Sequence, residues 1–232
     1  MKKTLLIVSL FISILCSCES NSINESDTDS KWWIIVHPTH GNSGIYLYNE
    51  TNSEIEKKFE LPEKLSSPHA IDFDGESLWV GGYPSIFELS PLDGTVLSEI
   101  KNVVTEGIAS SGEYLYYSDN SEIFKIKKDG TPIESYSMPT NVIQDIAFFN
   151  SNIYYVVNGE NDPIIRYNKA NLSITKILDT EIIALYTLAI KNNCFILVTD
   201  KNEIRRFDIN TLDKLPDTKI NIDGWITGIA PY

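Results

Sequence analysis

The sequence predicts an all-β fold: a five-bladed β-propeller closed by a C-terminal strand that completes the N-terminal blade. Three observations carry this. A grammar of four short strands recurs along the chain, its copies lie about 40 residues apart, and the two ends lack complementary pieces of the pattern.

The best-written copy is "GIASSGEYLYYSDNSEIFKIKKDGTPIESYSMP", residues 107–139. "GIA" reads as a first strand and "YLYYS" as a second. "EIFKIKK" alternates with period two, and "DG" signals a hairpin into "IESYSM". No long stretch keeps apolar residues at the 3.6 spacing of a helix. The same pattern recurs at 69–100, 145–178 and 187–220. Anchoring on the apolar residue of each first strand gives Ile71, Ile108, Ile146, Leu188 and Ile229, spaced by 37, 38, 42 and 41 residues. A lone four-stranded sheet leaves two faces uncovered, and a ring of neighbouring sheets covers them. Evenly spaced short strands also suit a β-sandwich; the repeat and the split blade favour the propeller.

The ends complete the count. "TGIA", within the C-terminal "GWITGIAPY", is a first strand with nothing after it. The segment from Lys31 to Pro62 supplies strands two, three and four without a first. Joined, they make one composite blade, so residues 31–232 form the propeller domain.

Ahead of it, Met1-Lys2-Lys3 and an apolar run from Leu5 to Leu15 read as a secretory signal. The run is shorter than the roughly 20 residues a membrane span requires. Leu15-Cys16-Ser17-Cys18 resembles the lipobox of bacterial lipoproteins. The resemblance implies that residues 1–17 are a signal peptide and that Cys18 becomes an acylated, palmitate-type anchor. Residues 18–30 are polar and acidic, too poor in apolar surface to fold, and read as a flexible tether. Glu19 after the lipidated position leans towards the outer membrane, so the expected location is the cell envelope.

The formal charge is −13, and removal of residues 1–17 takes away Lys2 and Lys3 and no acid, leaving −15. Such a chain is repelled by nucleic acid, which is excluded as a partner. Cys194 would be the one thiol left in the domain, so no intramolecular disulfide is expected. Its setting, "NCFILVT", predicts a small buried hydrophobe.

The rhythm of the copies, an apolar residue and Ala, then Gly, an aromatic pair, Ser-Asp and a charged residue before Ile, resembles NHL, YncE-like and glutaminyl-cyclotransferase-like propellers. "TEGIAS", residues 105–110, resembles a Glu-Gly segment of the cyclotransferases. Their acidic first-strand motif corresponds only to "PHAID", where His69 and Ala70 depart from it.

Propeller topology predicts where a site lies. Loops from strand four to the next strand one emerge on the same face as loops from strand two to strand three, and rigid strands position them. Two residues before each anchor stand His69, Glu106, Gln144, Tyr186 and Thr227, expected around the mouth of the central funnel. His37, His40, Tyr83, Asp119, Asn158, Asp162 and Asp200 lie in or beside the strand-two-to-three loops. These positions are the candidate ligand-binding residues.

All three histidines fall on this face, but "HPTH" lacks the usual spacing of metal ligands, and no metal site is expected. Asp119 and Asp200 occupy matching places and are expected to cap turns rather than hold Ca²⁺. Glu106 with Asp145 could form an acid/base pair, as in five-bladed glycosidases. No nucleophile elbow, zinc helix or phosphate loop is present. Trp32, Trp33 and Trp79 are expected in the core, with Trp225 the exception because it opens a loop.

These readings favour a lipid-anchored, exported propeller that acts as a binding or scaffold module for a small molecule, peptide or protein. The alternative is an enzyme, cyclotransferase-like or hydrolytic, using the same funnel. No cofactor is indicated.

Overall fold

The computed structural model of the chain describes residues 30–157, 163–180 and 187–232. The expected signal peptide, Cys18, Asn158, Asp162 and Tyr186 lie outside the described residues.

In chain order the strands are β1 (Lys31–His37), β2 (Gly44–Asn49), β3 (Glu54–Glu60), β4 (Ser66–Phe73), β5 (Leu78–Tyr83), β6 (Ser85–Leu89) and β7 (Val96–Lys101). They continue as β8 (Gly107–Ser111), β9 (Tyr114–Asp119), β10 (Glu122–Lys127), β11 (Pro132–Ser137), β12 (Ile143–Phe149), β13 (Asn152–Val157), β14 (Ile164–Asn168) and β15 (Ser173–Leu178). The last are β16 (Ala189–Lys191), β17 (Cys194–Val198), β18 (Glu203–Asp208), β19 (Lys214–Lys219) and β20 (Trp225–Pro231). They form five four-stranded antiparallel sheets: β4 to β7, β8 to β11, β12 to β15, β16 to β19, and β20-β1-β2-β3. The fold is a five-bladed β-propeller, and the last sheet is the composite blade.

Strand position explains composition. The second strands "WWIIV", "IYYVV" and "CFILV" are interior to their blades and covered on both faces by neighbours, so they read as unbroken apolar runs. The outermost strands β3, β11 and β19, "EIEKKFE", "PIESYS" and "KLPDTK", are largely exposed. Their charges and prolines blunt the free edges against pairing with other chains.

The core is divided into five apolar clusters, one per seam between adjacent blades. Trp33, Ile35 and Leu47 of the composite blade meet Ile71, Val80 and Leu89 of the next. Trp32, Ile34 and Tyr48 on its other face meet Ile196, Val198 and Ile204 of the last blade, which closes the ring. Each large side chain so buried contributes about 1.5–3 kcal/mol. Cys194, expected buried, is only half-buried at the start of β17; its Sγ lies 3.6 Å from the Asn192 carbonyl. Burial, the larger influence, and Asp208 push its thiol up from the ordinary value.

Closure uses the ladder between β20 and β1, with Trp33 opposite Ala230, Ile34 opposite Ile229 and Ile35 opposite Gly228. The Tyr232 N–H donates to the Lys31 carbonyl at 3.1 Å, and the Tyr232 ring stacks on Phe73 at 5.5 Å.

Around the axis, the five anchors Ile71, Ile108, Ile146, Leu188 and Ile229 line a cavity of about 190 Å³. The residues two positions later in each strand, Phe73, Ser110, Phe148, Ile190 and Pro231, line it too. The repeat alignment read from sequence is therefore the alignment in space.

Two acidic residues tie the inner strands together. Asp145 is buried, and its carboxylate accepts the N–H of Ile146 at 2.8 Å and of Leu188, in the next blade, at 2.7 Å. The Ile108 backbone, in the preceding blade, also bonds to it. Asp72 accepts the Ser110 N–H at 2.6 Å across another seam. Gly107 passes so close that a Cβ there would lie 2.5 Å from the Asp145 Cα, which leaves room for no side chain. Burial pushes the Asp145 carboxyl well above the ordinary aspartate range, against the pull of its backbone donors.

Candidate functional site

In three of the four blades where it is described, the position two before the anchor is out of the ladder. In β12 the pairing jumps from Ile143 opposite Val157 to Asp145 opposite Val156, which leaves Gln144 unpaired. In β20 it jumps from Ile226 opposite Val36 to Gly228 opposite Ile35, which leaves Thr227 unpaired. In β4, residues 67–69 bulge between the Ser66 and Ala70 pairs, and His69 is the last of them. Glu106 stands one residue ahead of β8. A bulge bends the strand and re-aims its side chain. The same device thus recurs at the start of three inner strands, β20, β4 and β12, while the Glu106 N–H stays bonded to the Ser118 carbonyl at 2.9 Å.

Two groups form from the candidate residues. The first joins the composite blade to its neighbour. His37, at the end of β1, lies with Nε2 3.0 Å from Thr227 Oγ1 and 3.1 Å from the Pro68 carbonyl, while the Ser43 hydroxyl is 2.7 Å from its Nδ1. The Thr227 hydroxyl also donates to the Pro68 carbonyl, at 3.1 Å. One tautomer satisfies all of these contacts. A carbonyl only accepts, so Nε2 carries the hydrogen, and Nδ1 then accepts from Ser43.

The Trp225 ring stacks on His37 at 6.4 Å and remains 56% exposed, as expected, although it begins β20 opposite His37 rather than a loop. Trp32, Trp33 and Trp79 are buried. The His69 ring lies 6.4 Å from that of His37. Its Nδ1 is buried without a hydrogen-bond partner among the described residues. Burial first, and His37 second, hold the His69 pKa below the ordinary histidine value.

Two less obvious residues shape this group. Asn202, in a left-handed backbone conformation (φ 58°), donates through Nδ2 to the Gly224 carbonyl at 2.7 Å and accepts the Ile226 N–H at 3.2 Å. It thereby fixes both sides of Trp225. Gly224 (φ 104°) rides directly on the His37–Pro38 backbone, where a Cβ would meet the His37 carbonyl oxygen at 2.1 Å. Beside His37 opens a cleft of about 660 Å³, lined among others by Ser43, Glu60, Glu63, Leu65 and Ser67.

The second group is acidic and belongs to the blade of β8 to β11. Burial, and then the neighbouring Asp119 charge, raise the Glu106 carboxyl above its ordinary value. The Asp119 carboxylate accepts from the Asn120 side chain at 2.8 Å.

The remaining candidates are dispersed. His40 is exposed on the loop between β1 and β2, and Asp200 is exposed between β17 and β18. Turn capping was expected of Asp119 and Asp200, but at the second of these turns Thr199 performs it, its hydroxyl accepting the Lys201 and Glu203 N–H groups at 3.3 Å. The Asp145 carboxylate is occupied by backbone N–H groups within the ring wall, which leaves Glu106 without it as an acid/base partner at the mouth. Among the described residues, no group of three or more His, Cys, Asp or Glu side chains is placed to hold a metal ion.

No protein-family model and no curated protein matches the chain. Solved structures do. A chain of a nidogen/laminin complex superposes with a TM-score of 0.63 at 12% identity, over 86% of this chain and 97% of that one. A protein of unknown function from Bacteroides caccae superposes with a TM-score of 0.54 at 10% identity, over 83% and 74%. The WD40 repeats of RRP9 give a TM-score of 0.50 at 17% identity, over 67% and 52%. Identities this low establish a shared propeller fold and nothing finer.

Proposed function

We propose that this chain is an envelope lipoprotein, anchored through Cys18 with the outer membrane favoured, whose propeller works as a binding module through the mouth around His37, His69, Thr227 and Trp225. The observation that carries the reading is the recurrent bulge. It turns His69, Gln144 and Thr227 out of the ladder at corresponding points, which strand pairing alone does not require. A half-exposed tryptophan held on a histidine beside a polar cleft gives a ligand an apolar face and hydrogen-bonding groups together, the usual composition of a binding site. Propellers of this shape occur in protein assemblies, the nidogen/laminin complex among them, so a peptide or protein ligand fits the reading as well as a small molecule.

Two measurements test it. Mass spectrometry of the membrane fraction should find Cys18 as an acylated N-terminus; an unmodified N-terminus downstream of it removes the anchor. Thermal-shift screening of the purified chain against peptide and saccharide libraries should yield binders, since a ligand at 100 times its Kd stabilises by about 2.7 kcal/mol. Trp225→Ala should abolish the shift while leaving the unliganded melting temperature unchanged. A shift that survives this substitution places binding elsewhere.

A further inference from the structure

We infer that Ser43 is a nucleophile activated by His37, and that the cleft beside them accepts a carboxylic ester. This activity goes beyond binding at the mouth and does not depend on it.

Ser43 and His37 lie at opposite ends of the loop between β1 and β2, six residues apart, and Ser43 Oγ lies 2.7 Å from His37 Nδ1. A serine hydroxyl is a weak nucleophile until a neighbouring base takes its proton, and that base must be held in the correct tautomer by a third group. Here the third group is a carbonyl. Pro68 C=O fixes the hydrogen on Nε2, assisted by Thr227, whose own hydroxyl is held by the same carbonyl. Nδ1 is therefore the free base, and the hydroxyl bonded to it is that of Ser43.

Position supports the same reading. The four partners come from β1, the following loop, the bulge of β4 and the bulge of β20, which spreads them over 190 residues of chain. A hydroxyl bonded to a loop histidine for local reasons would need only the loop. Ser43 and His37 both line the cleft of about 660 Å³, large enough for a small acyl donor, and Ser43 is half-exposed there. Glu60 and Glu63 line the same cleft and disfavour an anionic substrate, so the donor is a neutral or cationic ester.

The chemistry balances without a further reagent. Ser43 Oγ attacks the ester carbonyl carbon as its proton passes to His37 Nδ1. The ester C–O bond then breaks, the leaving alkoxide takes that proton from Nδ1, and an acyl-Ser43 ester remains. Water, giving its proton to Nδ1, attacks the acyl carbon. The bond between the acyl carbon and Ser43 Oγ breaks, the proton returns from Nδ1 to Oγ, and the acid departs. A neutral carbonyl stabilises the imidazolium less than a carboxylate would, which points to activated esters as the fastest substrates.

The test uses the purified full chain and a short alkyl fluorophosphonate. Its reaction forms an Oγ–P bond, expels fluoride and loses the serine proton through His37. Peptide mass mapping should place the phosphonyl group on Ser43. S43A should reduce labelling to background and H37N should slow it by about 100-fold, the usual scale of a general base. S43A should melt as the parent does, and H37N, which loses the contacts to Pro68 and Thr227, should stay folded with a modestly lower melting temperature. As a positioning residue Thr227 should matter less: T227V should slow labelling while T227S restores it. Absence of labelling in the parent, labelling that persists in S43A, or Ser43 labelling unaffected by H37N each overturns the inference. None of these outcomes bears on the Trp225 binding test.

Discussion

At the residue scale, Asp145 shows how a buried charge can serve a ring. Its carboxylate collects N–H groups from its own inner strand and from the blades on either side, so it staples three blades together. Its raised pKa sets a sign for the pH dependence. Between the ordinary aspartate value and the higher folded value, the native state holds more protons than the unfolded chain. Stability therefore falls as pH rises through that window and recovers on mild acidification. Asp72, also raised by burial, acts in the same sense. His69 acts oppositely. Its lowered pKa means that stability is lost as pH falls below its ordinary value of 6.5. Asp74, held down at about 2 with the help of Lys128 and Trp79 against the opposing effect of burial, withdraws its stabilisation only in stronger acid, below about pH 4. Asp145→Asn places an amide N–H against a backbone N–H and should destabilise the chain by about 1–3 kcal/mol at neutral pH. Chemical denaturation from pH 7 to pH 4.5 should show a smaller acid recovery in this variant than in the parent. An equal recovery would mean that Asp145 does not titrate in that range.

At the element scale, β20 is the strand on which closure depends. It supplies the inner position of the composite blade, and both faces of that blade are buried against neighbours. Deleting residues 226–232 removes this ladder together with Ile226, Ile229 and Ala230, all buried. Its melting temperature should drop by well over 10 °C or folding should fail, whereas deleting residues 19–29 should change it by no more than about 2 °C. Equal effects would contradict closure through this strand. The strand was legible in "TGIA" because a first strand without successors matches three strands without a predecessor. The bulged positions were legible for a related reason: they fall at a constant offset from anchors that recur about every 40 residues. The Ser43–His37–Pro68–Thr227 contact was not. It depends on how far the bulges of two distant inner strands lean towards one loop, and no periodicity encodes that. Asp145 reads in sequence as an acid/base partner for Glu106, whereas its carboxylate is taken up by backbone N–H groups of the wall. Only the register change there turns one side chain outward and the other into the wall.

At the scale of the whole molecule, the direction of β1 has a consequence for geography. The strand is preceded by Ser30, whose carbonyl accepts the Glu50 N–H beside the turn after β2, and ends at His37 on the opposite face. Seven residues at about 3.3 Å each put more than 20 Å between those points. With Cys18 as the proposed anchor, the twelve residues from 18 to 29 reach at most about 40 Å. The propeller would then be moored by its floor, its mouth turned to the open compartment and its lower turns towards lipid. Partners would arrive from the aqueous side or from a facing structure, and the host bilayer would not compete for the cleft. A fluorophore on T51C should be quenched by lipid-borne nitroxides far more than one on H40C, each made in a Cys194→Ser background and bound to vesicles through its acyl chains. The reverse ranking would turn the molecule over: it would dock mouth-down, and its ligand would be something the membrane itself displays.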